Sequence, residues 1–422
     1  MRIGNRSRIW HPFTQHGLEP SMLDVARADG AYIETRDGRR IFDAISSWWV
    51  VTHGHCHPKI IAAIQAQAEA LDQVIFAGFT HEPAERVAAA LCETAPAGLR
   101  HVFFSDSGST AVEVALKMAL GYWRHHGEPR TRILALEHAY HGDTVGTMSA
   151  GARGVFNAAY EPLLFDVGRI PFPAAGQEQT TFDALEAACQ RGDVAAFICE
   201  PLILGAGGMQ MYSAEALASM HRICKTHGVL FIADEVMTGF GRTGSLFACE
   251  QAGIAPDILC LAKGLTGGSL PLAATMATAA IFDAHYAADR ARMFFHSSSY
   301  TANPIACAAA AANLEIWRTE PVRARVAALT ATQGKHLAGL RSHPKFENVR
   351  QLGTITALDL SDSEEGYLAD IALRMRAQFI ERGVLLRPLG STIYVMPPYC
   401  ASDDDLARVY AVISAVAEAL RT

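Results

Sequence analysis

Phe231-Ile232-Ala233-Asp234-Glu235-Val236 is followed by the glycine-broken loop Gly239-Phe240-Gly241-Arg242-Thr243-Gly244 and then by Leu259-Cys260-Leu261-Ala262-Lys263-Gly264. The two apolar runs are short and read as buried strands. One ends on Asp234 and the other on Lys263. An open α/β sheet gathers its ligands at the carboxyl ends of its parallel strands, so the two charges are expected to converge on one crevice. Seen alone, a buried aspartate or lysine at a strand end is usually half of a structural ion pair. The combination at two strand ends is what points to chemistry.

Working outward, further short apolar runs stand at 102–104, 133–136, 195–199, 229–233, 258–261 and 272–276, separated by longer segments of helical periodicity. This is the βαβ rhythm of an α/β fold whose mostly parallel sheet is covered on both faces. Residues 24–45 read as a small meander, with Ala31-Tyr32-Ile33-Glu34-Thr35, the turn Asp37-Gly38, and Ile41-Phe42-Asp43. The alanine-rich, glycine-free segment from Pro304 to Trp317 predicts a long helix. After it the pattern predicts a strand at Thr354-Ile355-Thr356-Ala357, a helix around 366–382, the strand Val384-Leu385-Leu386-Arg387 and a last helix from Asp403. The expected division is a large domain over 56–315 and a small α+β domain built from 1–55 and 316–422.

With 422 residues, half of them hydrophobic, the chain is long enough for two domains with a substantial core. A formal net charge of −7, with no clustered Lys/Arg stretch, argues against a nucleic-acid partner. No apolar run approaches the ~20 residues needed to cross a bilayer. The polar start Met1-Arg2-Ile3-Gly4-Asn5-Arg6 has no signal-peptide core, so a cytoplasmic location and no membrane partner are expected. The nine cysteines contain no CxxC pair and read as reduced, mostly buried small hydrophobes. His53-Gly54-His55-Cys56-His57 has the composition of a metal site, but Gly54 and Pro58 mark a turn and no second ligand cluster follows. No metal is expected.

Val102-Phe103-Phe104-Ser105-Asp106-Ser107-Gly108-Ser109-Thr110 reads as a strand, a tight polar turn and a helix start. Backbone N–H groups there suit a phosphate; an ordinary Ser/Thr N-cap explains the same residues. Ser107 as a hydrolase nucleophile is disfavoured, since Ser105 stands where that elbow needs glycine. Gly239-x-Gly241-x-x-Gly244 matches a dinucleotide fingerprint, but Ser245-Leu246-Phe247-Ala248-Cys249-Glu250 is too short for the helix that must follow. Tyr140, in Tyr140-His141-Gly142-Asp143 after the strand Ile133-Leu134-Ala135-Leu136, is placed to pack on a flat cofactor or simply to cover the core. Trp48 and Trp49, as neighbours on a strand, are expected to face opposite ways, one to the core and one to a pocket. Arg387 is an odd charge for an apolar strand unless it meets a carboxylate; the alternative is an exposed strand-end arginine.

The Asp234 and Lys263 runs with their glycine loop resemble the core signature of the class III (ω) aminotransferases. Trp10-His11-Pro12-Phe13-Thr14, Ser46-Ser47-Trp48-Trp49, His53-Gly54, Ser105-Asp106-Ser107-Gly108-Ser109, Tyr140-His141-Gly142-Asp143-Thr144, Gly205-Ala206-Gly207-Gly208-Met209, and Arg387-Pro388 with Met396-Pro397-Pro398-Tyr399 extend the resemblance over essentially the whole chain. They narrow it to the branch that aminates 8-amino-7-oxononanoate to 7,8-diaminononanoate in biotin synthesis. The resemblance implies the type I pyridoxal-phosphate fold, a homodimer with shared active sites, and pyridoxal 5′-phosphate as cofactor. In that picture the Lys263 amine joins the cofactor aldehyde, and Asp234 keeps the pyridine nitrogen protonated so that the ring acts as an electron sink. It further implies that Gly108 and Ser109 bind the phosphate, that Trp48 and Tyr140 line the substrate site, and that Arg387 pairs with the far carboxylate of the keto acid.

Two departures bear on the substrates. Phe13 stands where the branch usually has a tyrosine, and Ser297-Ser298-Ser299 follows His296 where it usually has Gly-Pro-Thr. The resemblance assigns Ser299 to the phosphate of the neighbouring active site, with Ser298 beside it on the cofactor and Ser297 on the substrate. Phe13 keeps a ring able to stack on the adenine of S-adenosylmethionine, the expected amino donor; lysine is the alternative, used by some relatives that carry phenylalanine here. Another ω-amine transaminase and a pyridoxal-phosphate racemase or non-catalytic relative are the competing functions.

Overall fold

A computed structural model describes residues 8–18, 22–361 and 370–420. At its centre is a seven-stranded sheet in the order Leu99–Ser105, Ala273–Thr278, Ile258–Leu261, Leu230–Asp234, Val194–Cys199, Arg132–Leu136, Gly168–Ile170. Neighbours are parallel except at Ala273–Thr278, which runs antiparallel to the strands on either side. The sheet is apolar on both faces, with a period of two. Ile133 and Ala135 join one buried cluster with Val112, Ala115 and Trp123 of the helix Gly108–His126, while Leu134 and Leu136 join the other with Leu91, Phe197 and Phe231. Burial on both faces is why these strands appear in the sequence as unbroken apolar runs.

The chain ends supply the rest. Val25–Asp29, Tyr32–Thr35 and Arg40–Asp43 form the expected meander, and Val384–Leu385 adds to it in parallel beside Arg40–Asp43. A second sheet orders Phe346–Leu352, Ile355–Leu360 and Thr392–Val395 antiparallel. The helices Val322–Leu340, Asp370–Glu381 and Asp403–Ala419 pack with it around Phe379, Ile393, Tyr394 and Ile413. The alanine-rich helix runs Pro304–Thr319, capped by the Asn303 side chain on the N–H groups of Ile305 and Ala306. Its buried Asn313 donates to the carbonyls of Gly264 and Leu265 at 3.0 and 2.9 Å, which ties this helix to the turn that carries Lys263. None of the described helices is long and apolar enough to cross a membrane.

The pattern missed the three-residue strand Gly168–Ile170, the strand Phe346–Leu352, whose polar and partly exposed residues break the apolar run, and the buried four-residue strand Thr392–Val395. The helix expected around 366–382 is seen over Asp370–Glu381, and 362–369 lies outside the described residues. Two expectations are corrected. The strand expected to reach Arg387 stops at Leu385, because Phe42 and Asp43 are its last partners and Pro388 is near. Trp48 and Trp49 are not on a strand: Ser46–Trp49 is one turn of left-handed helix, with φ of 52°, 45°, 71° and 74°.

Candidate active site

The carboxyl ends of the parallel strands open into a cavity of about 400 Å³. Asp234 closes the strand Leu230–Asp234, and Lys263 follows Ile258–Leu261 by two residues, so the sheet brings both to the same rim, as expected from their strand positions. Asp234 is almost wholly buried. One carboxylate oxygen meets His141 Nδ1 at 2.7 Å and the other accepts the Val236 N–H at 3.1 Å. The far nitrogen of the His141 ring has no partner among the described residues, so the ring serves to orient the carboxylate.

Lys263 begins a short 3₁₀ turn in a left-handed conformation, φ 43°, and its Nζ lies 5.2 Å from the centre of the Trp49 ring. Burial pushes its pKa below the ordinary lysine value, opposed by the negative charges of Asp234 and Glu200. A buried lysine of this kind presents more of its neutral, nucleophilic amine.

The helix Gly108–His126 begins at the same rim. Ser107 caps it: its hydroxyl accepts the Thr110 N–H at 3.2 Å, while its own N–H donates to Thr110 Oγ1 at 2.9 Å. The N-cap explanation of this motif is therefore correct. Even so, the first N–H groups of a 19-residue helix have no partner in the helix and face the cavity at Gly108 and Ser109. A Cβ on Gly108 would come within 2.5 Å of Val236 Cγ1, so glycine lets the helix start sit against the loop that follows Asp234.

Tyr140 lines the cavity, and burial raises its pKa, with Asp143 adding to the shift; its phenol stays protonated. Its backbone N–H donates to Glu200 Oε1 at 3.0 Å, and the Gly205 N–H donates to Glu200 Oε2 at 2.9 Å. Burial outweighs these two bonds and pushes Glu200 up to about 7. From Tyr140 an aromatic path leads outward through Phe156, at 6.1 Å, to Phe13, at 6.0 Å, and on to Trp48, at 5.4 Å. Arg387 ends it, its guanidinium 4.8 Å from the Trp48 ring and bonded to the Phe13 carbonyl at 3.2 Å.

Of the residues singled out in the sequence, Gly108, Ser109, Tyr140, Asp234 and Lys263 line one cavity, and Phe13, Trp48 and Arg387 cluster beside it. Ser297, Ser298 and Ser299 do not line it; Ser298 Oγ donates to Asp106, which does. His141 and Glu200 were not among the residues singled out in the sequence, and of the two tryptophans it is Trp49 that lines the cavity. His141 sits in the same quoted loop as Tyr140, but nothing local shows that it faces a carboxylate 93 residues away. The histidines of the 53–57 segment are engaged elsewhere, His53 with Asn313 at 2.8 Å and His55 with Asp43 at 2.9 Å.

Residues 13–417 match the family described as aminotransferase class-III. An adenosylmethionine-8-amino-7-oxononanoate aminotransferase from Synechococcus elongatus is 49% identical over 417 residues, covering 96% of this chain and 97% of its own length. One of the same name from Aquifex aeolicus is 36% identical, covering 96% and 94%. Among solved structures, the Methanocaldococcus jannaschii adenosylmethionine-8-amino-7-oxononanoate aminotransferase superposes with a TM-score of 0.94 at 32% identity, over 98% of each chain. A PLP-bound amine transaminase from an uncultivated Pseudomonas species gives 0.91 at 33%, over 98% of this chain and 99% of its own.

Proposed function

The chain belongs to the class III aminotransferases, and from that premise we propose that it moves an amino group from S-adenosylmethionine onto 8-amino-7-oxononanoate, giving 7,8-diaminononanoate. The family's cofactor is pyridoxal 5′-phosphate, which when bound supplies an aldehyde that captures amines and a protonated ring that draws off electrons. The cavity fits it. A buried carboxylate aimed inward suits the ring nitrogen, a helix start with Gly108 and Ser109 suits the phosphate, and the Lys263 amine suits the aldehyde. Tyr140 offers a ring to pack against, and no side chain at Gly108 narrows the phosphate end.

The residues then divide the work. His141 and the Val236 N–H hold the Asp234 carboxylate in one orientation, so its charge would be available to the ring nitrogen of the bound cofactor without reorganising. Lys263, depressed by burial, takes a proton at Nζ from the carbon that bears the donor's amine and returns one on the acceptor side. The observation that carries the choice of keto acid is the aromatic path from Tyr140 through Phe156, Phe13 and Trp48 to the Arg387 guanidinium: an apolar wall with one cation at its far end suits a long keto acid ending in a carboxylate. The proposed assembly is a cytoplasmic homodimer in which Ser299, with Ser297 and Ser298, serves the neighbouring site.

The test is a panel of amino donors with 8-amino-7-oxononanoate as acceptor. S-adenosylmethionine is expected to support product formation; conversion with lysine alone would overturn the donor, and no product with any donor would overturn the keto acid. Lys263→Ala is expected to lose the visible absorbance of the lysine-bound cofactor and nearly all turnover. A borohydride-reducible adduct surviving in that variant would remove Lys263 from its role.

A further inference from the structure

We propose that Asp43, backed by His55, is a positioning residue that holds the left-handed turn Ser46–Trp49 and through it fixes Trp48 at the keto-acid end of the site. This rests on the reading that Trp48 borders that substrate. Four successive L-residues with positive φ form a conformation that side chains disfavour, so something outside the turn must hold it. Its backbone bonds, Trp49 N–H to the Ile45 carbonyl at 2.8 Å and Val50 N–H to the Ser46 carbonyl at 2.9 Å, would be equally available to a right-handed turn.

The outside anchors are unevenly spread. Ser46 Oγ donates to the Met396 carbonyl at 2.7 Å. Trp49 is held twice, by its Nε1 to the Tyr394 hydroxyl at 3.1 Å and by buried Arg242 donating to its carbonyl at 3.2 Å. Trp48 is more than a third exposed, and its ring lies against Phe13 and the Arg387 guanidinium. Its direction therefore depends on the φ and ψ of Ser47. That residue is gripped by Asp43, whose buried carboxylate accepts the Ser47 N–H at 2.8 Å and the Ser47 hydroxyl at 2.7 Å, with His55 Nε2 3.5 Å from the same hydroxyl. His55 Nε2 meets the same carboxylate at 2.9 Å, and the His55 backbone is paired in both directions with Gly30, so the carboxylate is itself fixed.

In the loaded enzyme, Asp43→Asn is expected to raise KM for 8-amino-7-oxononanoate about tenfold with kcat within about twofold, because it removes binding without touching the groups that move protons. The near-ultraviolet circular dichroism of the tryptophans should weaken in the same variant without cofactor. Adding Ser47→Gly is expected to recover at least half of both changes, since glycine takes positive φ freely; a purely structural loss would not respond to it. An unchanged KM beside an active wild type, or no rescue by Ser47→Gly, would overturn the assignment. If Asp43→Asn does not fold, His55→Gln is measured in the same way, with the same outcomes deciding. A wild type inactive on this keto acid would instead defeat the proposed function, and the dichroism and its rescue would still decide the positioning role.

Discussion

Arg387 shows how a single residue changes meaning between sequence and structure. As a charge in a supposed apolar strand it was expected either to meet a carboxylate or to be an exposed strand-end arginine; it stands past the strand end, half-buried, with its guanidinium over Trp48 and on the Phe13 carbonyl. No carboxylate of the described residues pairs with it, which leaves its charge for a ligand. Arg387→Ala is expected to raise KM for the keto acid by roughly 10- to 100-fold, about 1.4–2.7 kcal/mol, with little effect on the donor half-reaction. Equal losses in both half-reactions would make it structural. Asp234 and Lys263 stand at the same rim of the cavity, as their places at two strand ends led one to expect, because the position of each follows from where its own strand ends.

At the scale of elements, the start of the helix Gly108–His126 and the loop after Asp234 are fitted to each other. Gly108 is not in a positive-φ conformation, so its need for glycine is one of space alone: a Cβ would reach 2.5 Å from Val236 Cγ1 and 3.2 Å from Cγ2. Gly108→Ala is expected to cost about 1–3 kcal/mol and to weaken cofactor retention, as overpacking displaces the phosphate end. Val236→Ala in the same chain should restore most of the loss, measured as Tm and as cofactor bound after gel filtration. A double variant no better than the single would mean that the contact is not what selects glycine. The helices and central strands were legible because their apolar periodicity is local. The Ser46–Trp49 turn was not, since its four residues have no local preference for left-handed backbone, at a cost of about 1–2 kcal/mol each, and adopt it only under tertiary anchors.

Across the whole molecule, the glutamates Glu200 and Glu235 are shut into the protein at the sheet's carboxyl edge, beside Asp234. Glu200 joins the Tyr140 loop to the Gly205 turn, and Glu235 accepts the N–H groups of Ala248 and Cys249 at 2.7 and 2.9 Å. Burial pushes both up to about 7, above the 4.5 of a free glutamate. Between pH 4.5 and 7 the unfolded chain has lost these protons while the folded chain still binds them, so each group loses stability as pH rises through this window and changes little above it. Glu200→Gln removes one titration and leaves one of the two N–H groups without an acceptor, which destabilises the protein by about 1–3 kcal/mol. The advantage of wild type over the variant, from urea unfolding, should be larger at pH 5 than at pH 7 by about 2 kcal/mol. A pH-independent difference would show that Glu200 is ionised throughout.

The amino-acid sequence by itself determined the α/β architecture, the ends of its central strands, and hence the meeting of Asp234 with Lys263, because burial on both faces of a parallel sheet writes itself into short apolar runs. Tertiary structure alone decided that His141 orients Asp234 across 93 residues, that Arg387 meets the Phe13 carbonyl across 374, and that Ser46–Trp49 winds left-handed. These depend on contacts between segments far apart in the chain, and on anchors strong enough to override local backbone preference, neither of which leaves a periodic mark on the residues involved.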